Sequence, residues 1–258
     1  MLDLEPTDTL AYICRALALL NLGEVEGAQD DLNAALQLSE HNSLAFELQG
    51  LIYMEKNNFP AAEKAFNQAI EINPQFDLAY YNRGLARKLS GDLQGAEADF
   101  SKAIELNSNV SSAYFNRAMA RRNMGMEEEA LQDYNKAIEL DKDYADAIFY
   151  RGVTKKIMGD YDGALNDYTA AIKLNENDYE AYNNRANVRM LFGDYPNAIL
   201  DYNQAIRLRE DYAIAYYNRA IAQIMISKRE KACEDLIQSR DLGYEAADQA
   251  LSDFCQTR

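Results

Sequence analysis

Bulky and small apolar residues return along this chain at fixed places, with a period of 34 residues. Counting positions within each repeat from Thr9, Ser43, Asp77, Ser111, Ala145, Tyr179 and Ala213, position 20 is alanine in all seven copies: Ala28, Ala62, Ala96, Ala130, Ala164, Ala198 and Ala232. Position 8 is always Gly or Ala, and position 27 is Ala in every repeat until Ser239. Large side chains hold position 4 (Tyr12, Phe46, Tyr80, Tyr114, Ile148, Tyr182, Tyr216) and position 24 (Leu32, Phe66, Phe100, Tyr134, Tyr168, Tyr202, Leu236). Positions 4, 8 and 11 share one face of a helix, and so do 20, 24 and 27. A breaker at position 15 separates the two runs: Gly23, Gly91, Gly125, Gly159 and Gly193, with Asn57 and Ser227 in its place elsewhere. Gly-Asp at 91–92, 159–160 and 193–194 closes one helix in a left-handed cap and opens the next with an acid. Each repeat therefore predicts two antiparallel helices in which a small residue faces a bulky one, and stacked copies bury a continuous core. The predicted class is all-α.

Composition narrows the chemistry. Only 12 Gly and 4 Pro leave little material for an all-β fold. The 258 residues carry 26 Lys+Arg against 42 Asp+Glu, a net charge of −16, which argues against binding nucleic acid. No apolar run is long enough to insert into a membrane. The start of the chain bears Asp3, Glu5 and Asp8 where a signal peptide bears positive charge, so a cytoplasmic location is expected. Cys14, Cys233 and Cys255 are few and scattered and are expected to be reduced thiols. His41 is the single histidine, and no nucleophile, metal or phosphate-loop spacing accompanies it. No catalytic residue, metal or cofactor is expected.

The pattern aromatic-x-x-x-Gly/Ala followed by Ala-x-x-x-Phe/Tyr-x-x-Ala at this period resembles the tetratricopeptide repeat family. That resemblance implies a right-handed superhelical α-solenoid of stacked antiparallel helix pairs, acting as a non-enzymatic scaffold for other proteins. The repeats run 9–42, 43–76, 77–110, 111–144, 145–178, 179–212 and 213–246. Residues 1–8 look like the tail of a preceding repeat, since Leu2-Asp3-Leu4-Glu5-Pro6 reproduces Ile70-Glu71-Ile72-Asn73-Pro74. Residues 245–258 overlap the last repeat and predict a capping helix with Ala247, Ala250, Leu251 and Phe254 on its apolar side. The family's leucine at position 7 is Arg in six repeats, its tyrosine at position 11 is missing from all but repeat 2, and its closing proline survives only as Pro74, leaving the helix ends undefined.

The arginines at position 7 each have an aspartate at position 23 of the same repeat: Arg15–Asp31, Arg83–Asp99, Arg117–Asp133, Arg151–Asp167, Arg185–Asp201 and Arg219–Asp235. Repeat 2 has Gln49 and Ala65 and lacks both partners. The joint absence predicts a structural bridge between the two helices of each repeat.

The resemblance further implies that positions 2, 5, 6, 9, 12 and 13 of the first helices line a concave groove. Position 6 supplies Asn82, Asn116, Asn184 and Asn218, an amide row able to pair with the backbone of an extended peptide. Position 5 supplies Tyr81, Phe115, Phe149 and Tyr217. Position 12 supplies Lys88, Arg122 and Lys156, flanked at position 11 by Arg87, Arg121 and Lys155, a basic patch suited to acidic side chains. The dicarboxylate clamp of the family's chaperone-binding members is not matched, because position 2 is Leu44, Leu78, Ser112 and Asp146 rather than Lys. The expected partner is a protein or peptide segment with some acidic residues. A self-assembling module stacked through the Leu2–Pro6 edge, or a regulatory piece of a larger multidomain protein, is the alternative.

Overall fold

The computed structural model describes residues 8–255. The Leu2–Pro6 edge, and with it the expected self-stacking, lies outside them. The seven first helices all begin at position 1 of their repeats: α1 (Thr9–Asn21), α3 (Ser43–Glu55), α5 (Asp77–Ser90), α7 (Ser111–Asn123), α9 (Ala145–Ile157), α11 (Tyr179–Leu191) and α13 (Ala213–Met225). The second helices all begin at position 17: α2 (Val25–Leu38), α4 (Phe59–Ile72), α6 (Leu93–Leu106), α8 (Glu127–Leu140), α10 (Tyr161–Leu174), α12 (Tyr195–Leu208) and α14 (Arg229–Asp241). A short α15 (Ala246–Phe254) follows, and no strand occurs among the described residues. The chain divides into two compact blocks, one ending at Leu140 with α1–α8 and one from Asp141 with α9–α15. Within each block a first helix packs on its own second helix and on the second helix of the repeat before it.

The turns follow the predicted breaker. Gly91 takes φ +91°, and Asp92 then accepts from the Gly95 N–H at 2.9 Å to start α6. Asn57 and Ser227 adopt the same left-handed region at φ +54° and +61°. Closing prolines prove unnecessary. Second helices end at position 30 in six repeats, and the side-chain oxygens of Asn73, Asn107, Asp141 and Asn175 at position 31 accept the N–H two residues on. This Asx turn stops the helix as a proline would.

All seven alanines at position 20 are fully buried. Their neighbours at position 24 fill the space they leave, and the small residue at position 8 admits the ring: a methyl added at Gly84 would lie 2.8 Å from Phe100 Cε1. Two further positions, always Ala at 3 and mostly Ala at 10, join successive repeats. Position 3 places Ala45 with Ala28, Leu32 and Ala35 of the repeat before, and Ala215 with Ala205 and Ile206. Position 10 does the same with Ala86 against Phe66 and Ala222 against Tyr202.

The C-terminal end departs from expectation in two ways. On α15, Ala247 and Ala250 pack on Ala220, Ala232 and Leu236, but Phe254 turns outward at 42% exposure while its carbonyl accepts from Arg229 Nε at 2.6 Å. Cys233 and Cys255 are joined in a disulfide, their Cα atoms 5.7 Å apart, which corrects the expectation of free thiols at these two positions. The cause is tertiary: α15 folds back along α14 and brings together residues 22 apart in sequence. Cys14 is free and exposed.

Candidate functional site

Two sets of polar side chains sit on the first helices, and they have opposite fates. The first set is the predicted bridge. In repeats 3 to 7, Arg83, Arg117, Arg151, Arg185 and Arg219 each grip their aspartate with two N–H···O bonds of 2.6–2.9 Å. Arg15 makes the same pair with Asp31. The aspartates are nearly buried, Asp99 at 3% exposure and Asp133 at 4%. The planar fork suits a carboxylate and also stacks on an aromatic face. Arg83 lies over Tyr80, Arg117 over Tyr114, Arg185 over Tyr182 and Arg219 over Tyr216, with 5.3–5.6 Å to the ring centres. The remaining nitrogen reaches the preceding repeat: Arg83 donates to Asn67, Arg117 to Ser101, Arg185 to Thr169 and Arg219 to Asn203. These four arginines therefore tie their own hairpins and the joints to the ones before.

Position 11 belongs to this network and not to a basic patch. Arg87 and Arg121 take a second oxygen site on Asp99 and Asp133 at 3.0 and 2.8 Å, and both reach back to the preceding repeat at Glu63 and Glu97 at 2.6 Å. Lys155 pairs with Asp167 at 2.9 Å and Arg189 with Asp201 at 2.7 Å. In repeat 7, Gln223 stands in for the cation and donates to Asp235 at 2.9 Å. The predicted cluster of six cations thus splits in two, because position 11 is turned toward buried aspartates. The sequence did carry a signal for this, since a cation at 11 accompanies Asp at 23 in repeats 3 to 6, while repeat 2 has Tyr53 and no acid.

The second set faces away from that network. The asparagines of position 6 pair largely with the neighbouring first helix. Asn82 Nδ2 donates to Glu47 Oε1 at 2.8 Å. Asn116, only 7% exposed, donates to Tyr81 Oη at 3.1 Å and to the Ser112 carbonyl, and accepts from Lys88 Nζ at 2.6 Å. Asn218 donates to Asn183 and Asn187 at 3.3 and 3.2 Å. Asn184 donates to the Glu180 carbonyl of its own helix and accepts from Lys156 Nζ at 3.3 Å. The rings of position 5 have packing partners too: Tyr81 on Phe100, Phe115 on Tyr134 and Phe149 on Tyr168, with centroids 5.7–6.0 Å apart, and Tyr217 on Tyr244 at 5.0 Å. Phe149 is buried. Arg122, at the end of α7, places a guanidinium nitrogen 3.5 Å from Asn123 Oδ1.

Three observations lie beyond what the sequence pattern picked out. Leu10, Leu44 and Leu78, at position 2 of repeats 1 to 3, are exposed by 59%, 45% and 51%. Lys88 and Lys156 have amide partners and no ion-pair partner among the described residues, and burial pushes both ammonium groups down from the usual lysine range. Glu47 is pushed up to about 6 by burial, although the Asn82 amide works in the opposite direction. No three His, Cys, Asp or Glu side chains converge to hold a metal among the described residues, and no described helix is long and apolar enough to cross a membrane.

A helical hairpin repeated at this period defines a class, and the comparisons with known proteins agree on it. A TPR repeat model matches residues 50–91, 155–193 and 189–225, and a tetratricopeptide repeat model matches 78–110 and 111–144, together more than half of the chain. The chain belongs to the tetratricopeptide repeat family. Among solved structures it is similar to YrrB, a TPR protein described as having an unusual peptide-binding site. The two are 26% identical with a TM-score of 0.64, over 74% of this chain and 99% of that one. It is also similar to the C-terminal part of a TPR repeat-containing protein from Cytophaga hutchinsonii, at 15% identity and a TM-score of 0.75, over 95% of this chain and 100% of that one. A chain of the APC/C hetero-tetramer Cut9–Hcn1 matches at 18% identity and a TM-score of 0.72, over 98% of this chain and 50% of that one. No curated protein matches the sequence.

Proposed function

We propose that this protein is a non-enzymatic scaffold that holds a peptide segment of a partner protein against its first helices. The tetratricopeptide fold is a protein–protein interaction scaffold. The observation that carries the finer reading is the exposed leucine row Leu10, Leu44 and Leu78 at position 2 of repeats 1 to 3, with Asn82 about one helical turn beyond Leu78. Side chains of that size left in solvent at matching places in successive repeats give the first helices an apolar side suited to an interaction. Asn82, held in place by Glu47, offers a preorganised amide beside it, while the Asn116 amide is taken up within the fold, and Lys88 and Arg122 attract acidic side chains of the guest. Tyr81 and Phe115 serve this face by stiffening it, because each ring is stacked into the fold.

The test is selection from a displayed random-peptide library on the whole chain, followed by recapture on variants. Leu44→Ser with Leu78→Ser should lower capture of the selected peptides tenfold or more, as loss of central anchors does. Equal capture would overturn the placement of the guest on this face.

A further inference from the structure

The proposed face carries two charges that the fold itself does not use. Glu47, on α3, accepts one hydrogen bond, from Asn82 of α5, and no cation pairs with it among the described residues. Lys88, on α5, donates to one acceptor, the amide oxygen of Asn116 on α7, and no carboxylate pairs with it among the described residues. Both groups are partly buried. Every aspartate at position 23 in the same molecule shows what this chain does with a charge that serves the fold: it sets one or two cations against the group at 2.5–3.0 Å. A half-buried charge with only an amide for company loses hydration without regaining it. Opposite charge arriving with a guest supplies the missing compensation.

The two groups share a side of the stack. Tyr81 occupies on α5 the place that Glu47 occupies on α3, position 5 of the repeat, and Lys88 lies two turns further along the same side of α5. Asn116 confirms this by touching both Tyr81 Oη and Lys88 Nζ. The Glu47 carboxylate lies against Asn82 and the Lys88 ammonium against Asn116, the same position on successive first helices, so the charges stand about one interhelical step apart, roughly 10 Å. An extended chain covers that distance in about three residues.

We infer that the first-helix face of repeats 2 and 3 recognises an extended segment bearing one basic and one acidic side chain about three residues apart. The basic group pairs with Glu47 and the acidic group with Lys88. This inference rests on the peptide-scaffold reading above and adds to it a direction of binding, since reversing the guest would bring like charges together. Such opposition costs affinity at both ends at once and so enforces one orientation.

The random-peptide selection tests it, run in parallel on the wild-type chain, Glu47→Gln and Lys88→Met. Peptides from the wild type should be enriched in a Lys or Arg and an Asp or Glu at that spacing, in one order. Glu47→Gln should erase the basic preference and keep the acidic one, and Lys88→Met should do the reverse. Capture of wild-type-selected peptides should fall about tenfold on either variant, and replacing both should not double the loss for peptides lacking the pair. Circular dichroism of both variants should match the wild type, because each substitution removes a desolvated charge that supports no bridge. Peptides that bind with no paired charges, or with charges indifferent to both variants, overturn this inference and leave the scaffold reading standing. Failure of all three chains to select any peptide overturns both.

Discussion

Arg117 with Asp133 and Lys88 with Asn116 stand in the same block, and both involve a cation drawn out of water. The arginine meets a buried carboxylate, an aromatic face and a serine of the preceding repeat. The lysine meets one neutral amide. Charges that hold this fold together are over-provided with partners, while those on the proposed binding face are under-provided. In a repeat array, where each hairpin depends on its neighbours, that difference separates residues kept for the joint from residues kept for a guest.

The contrast can be broken first at its strong end. Arg117→Ala strips Asp133 of its bidentate partner and should cost about 3–5 kcal/mol, read as a lower urea midpoint, because the carboxylate stays buried and only Arg121 remains beside it. Pairing Arg117→Met with Asp133→Leu should recover most of that loss. A single substitution as damaging as the pair, with no recovery, would mean that the ring stack and not the ion pair holds the joint. Arg87→Ala should cost less, about 1–2 kcal/mol, since Asp99 keeps the bidentate Arg83 while losing its 3.0 Å contact with Arg87, and the link back to Glu63 goes with it.

At the weak end the sign reverses. The Glu47 carboxyl sits at about 6 in the folded chain against an ordinary 4.5, so the native state holds its proton more tightly than the unfolded state does. The contribution of this group to stability is then greatest below pH 4.5 and is lost as pH rises through 6. Glu47→Gln should therefore raise stability at pH 7.5 by about 1 kcal/mol and give no gain at pH 4.5, measured as the difference in urea midpoint at the two values. Smallest of all, Lys88→Met should move the midpoint by no more than about 0.5 kcal/mol, in either direction, while still lowering peptide capture.

Much of the fold was legible because it is written seven times. Ala at 20, a bulky residue at 24 and Gly or Ala at 8 define two helices and their contact without any tertiary knowledge, and Arg at 7 with Asp at 23 disclosed its bridge through its joint absence in repeat 2. What escaped depends on how one repeat meets the next. The alanines at position 3 recur as faithfully as those at 20, yet their role is visible only when Ala45 is seen against Ala28 and Leu32. Arg87 and Arg121 at position 11 looked like part of a patch because one partner of each, Glu63 and Glu97, lies in the preceding repeat. Glu47 breaks the aromatic row of position 5 and was one acid among 42 Asp+Glu, distinguished only by the burial that its neighbours impose. The cysteine pair had no motif to announce it, since the back-folding of α15 sets its distance.

That covalent pair clamps a short helix onto the hairpin before it. Stitching residue 233 to residue 255 restricts the unfolded chain and is worth about 3 kcal/mol for a ring of this size. With the stitch intact, the amides of α15 should exchange only together with those of α14. Once a dithiol has cut it, α15 should peel away and exchange faster than α14.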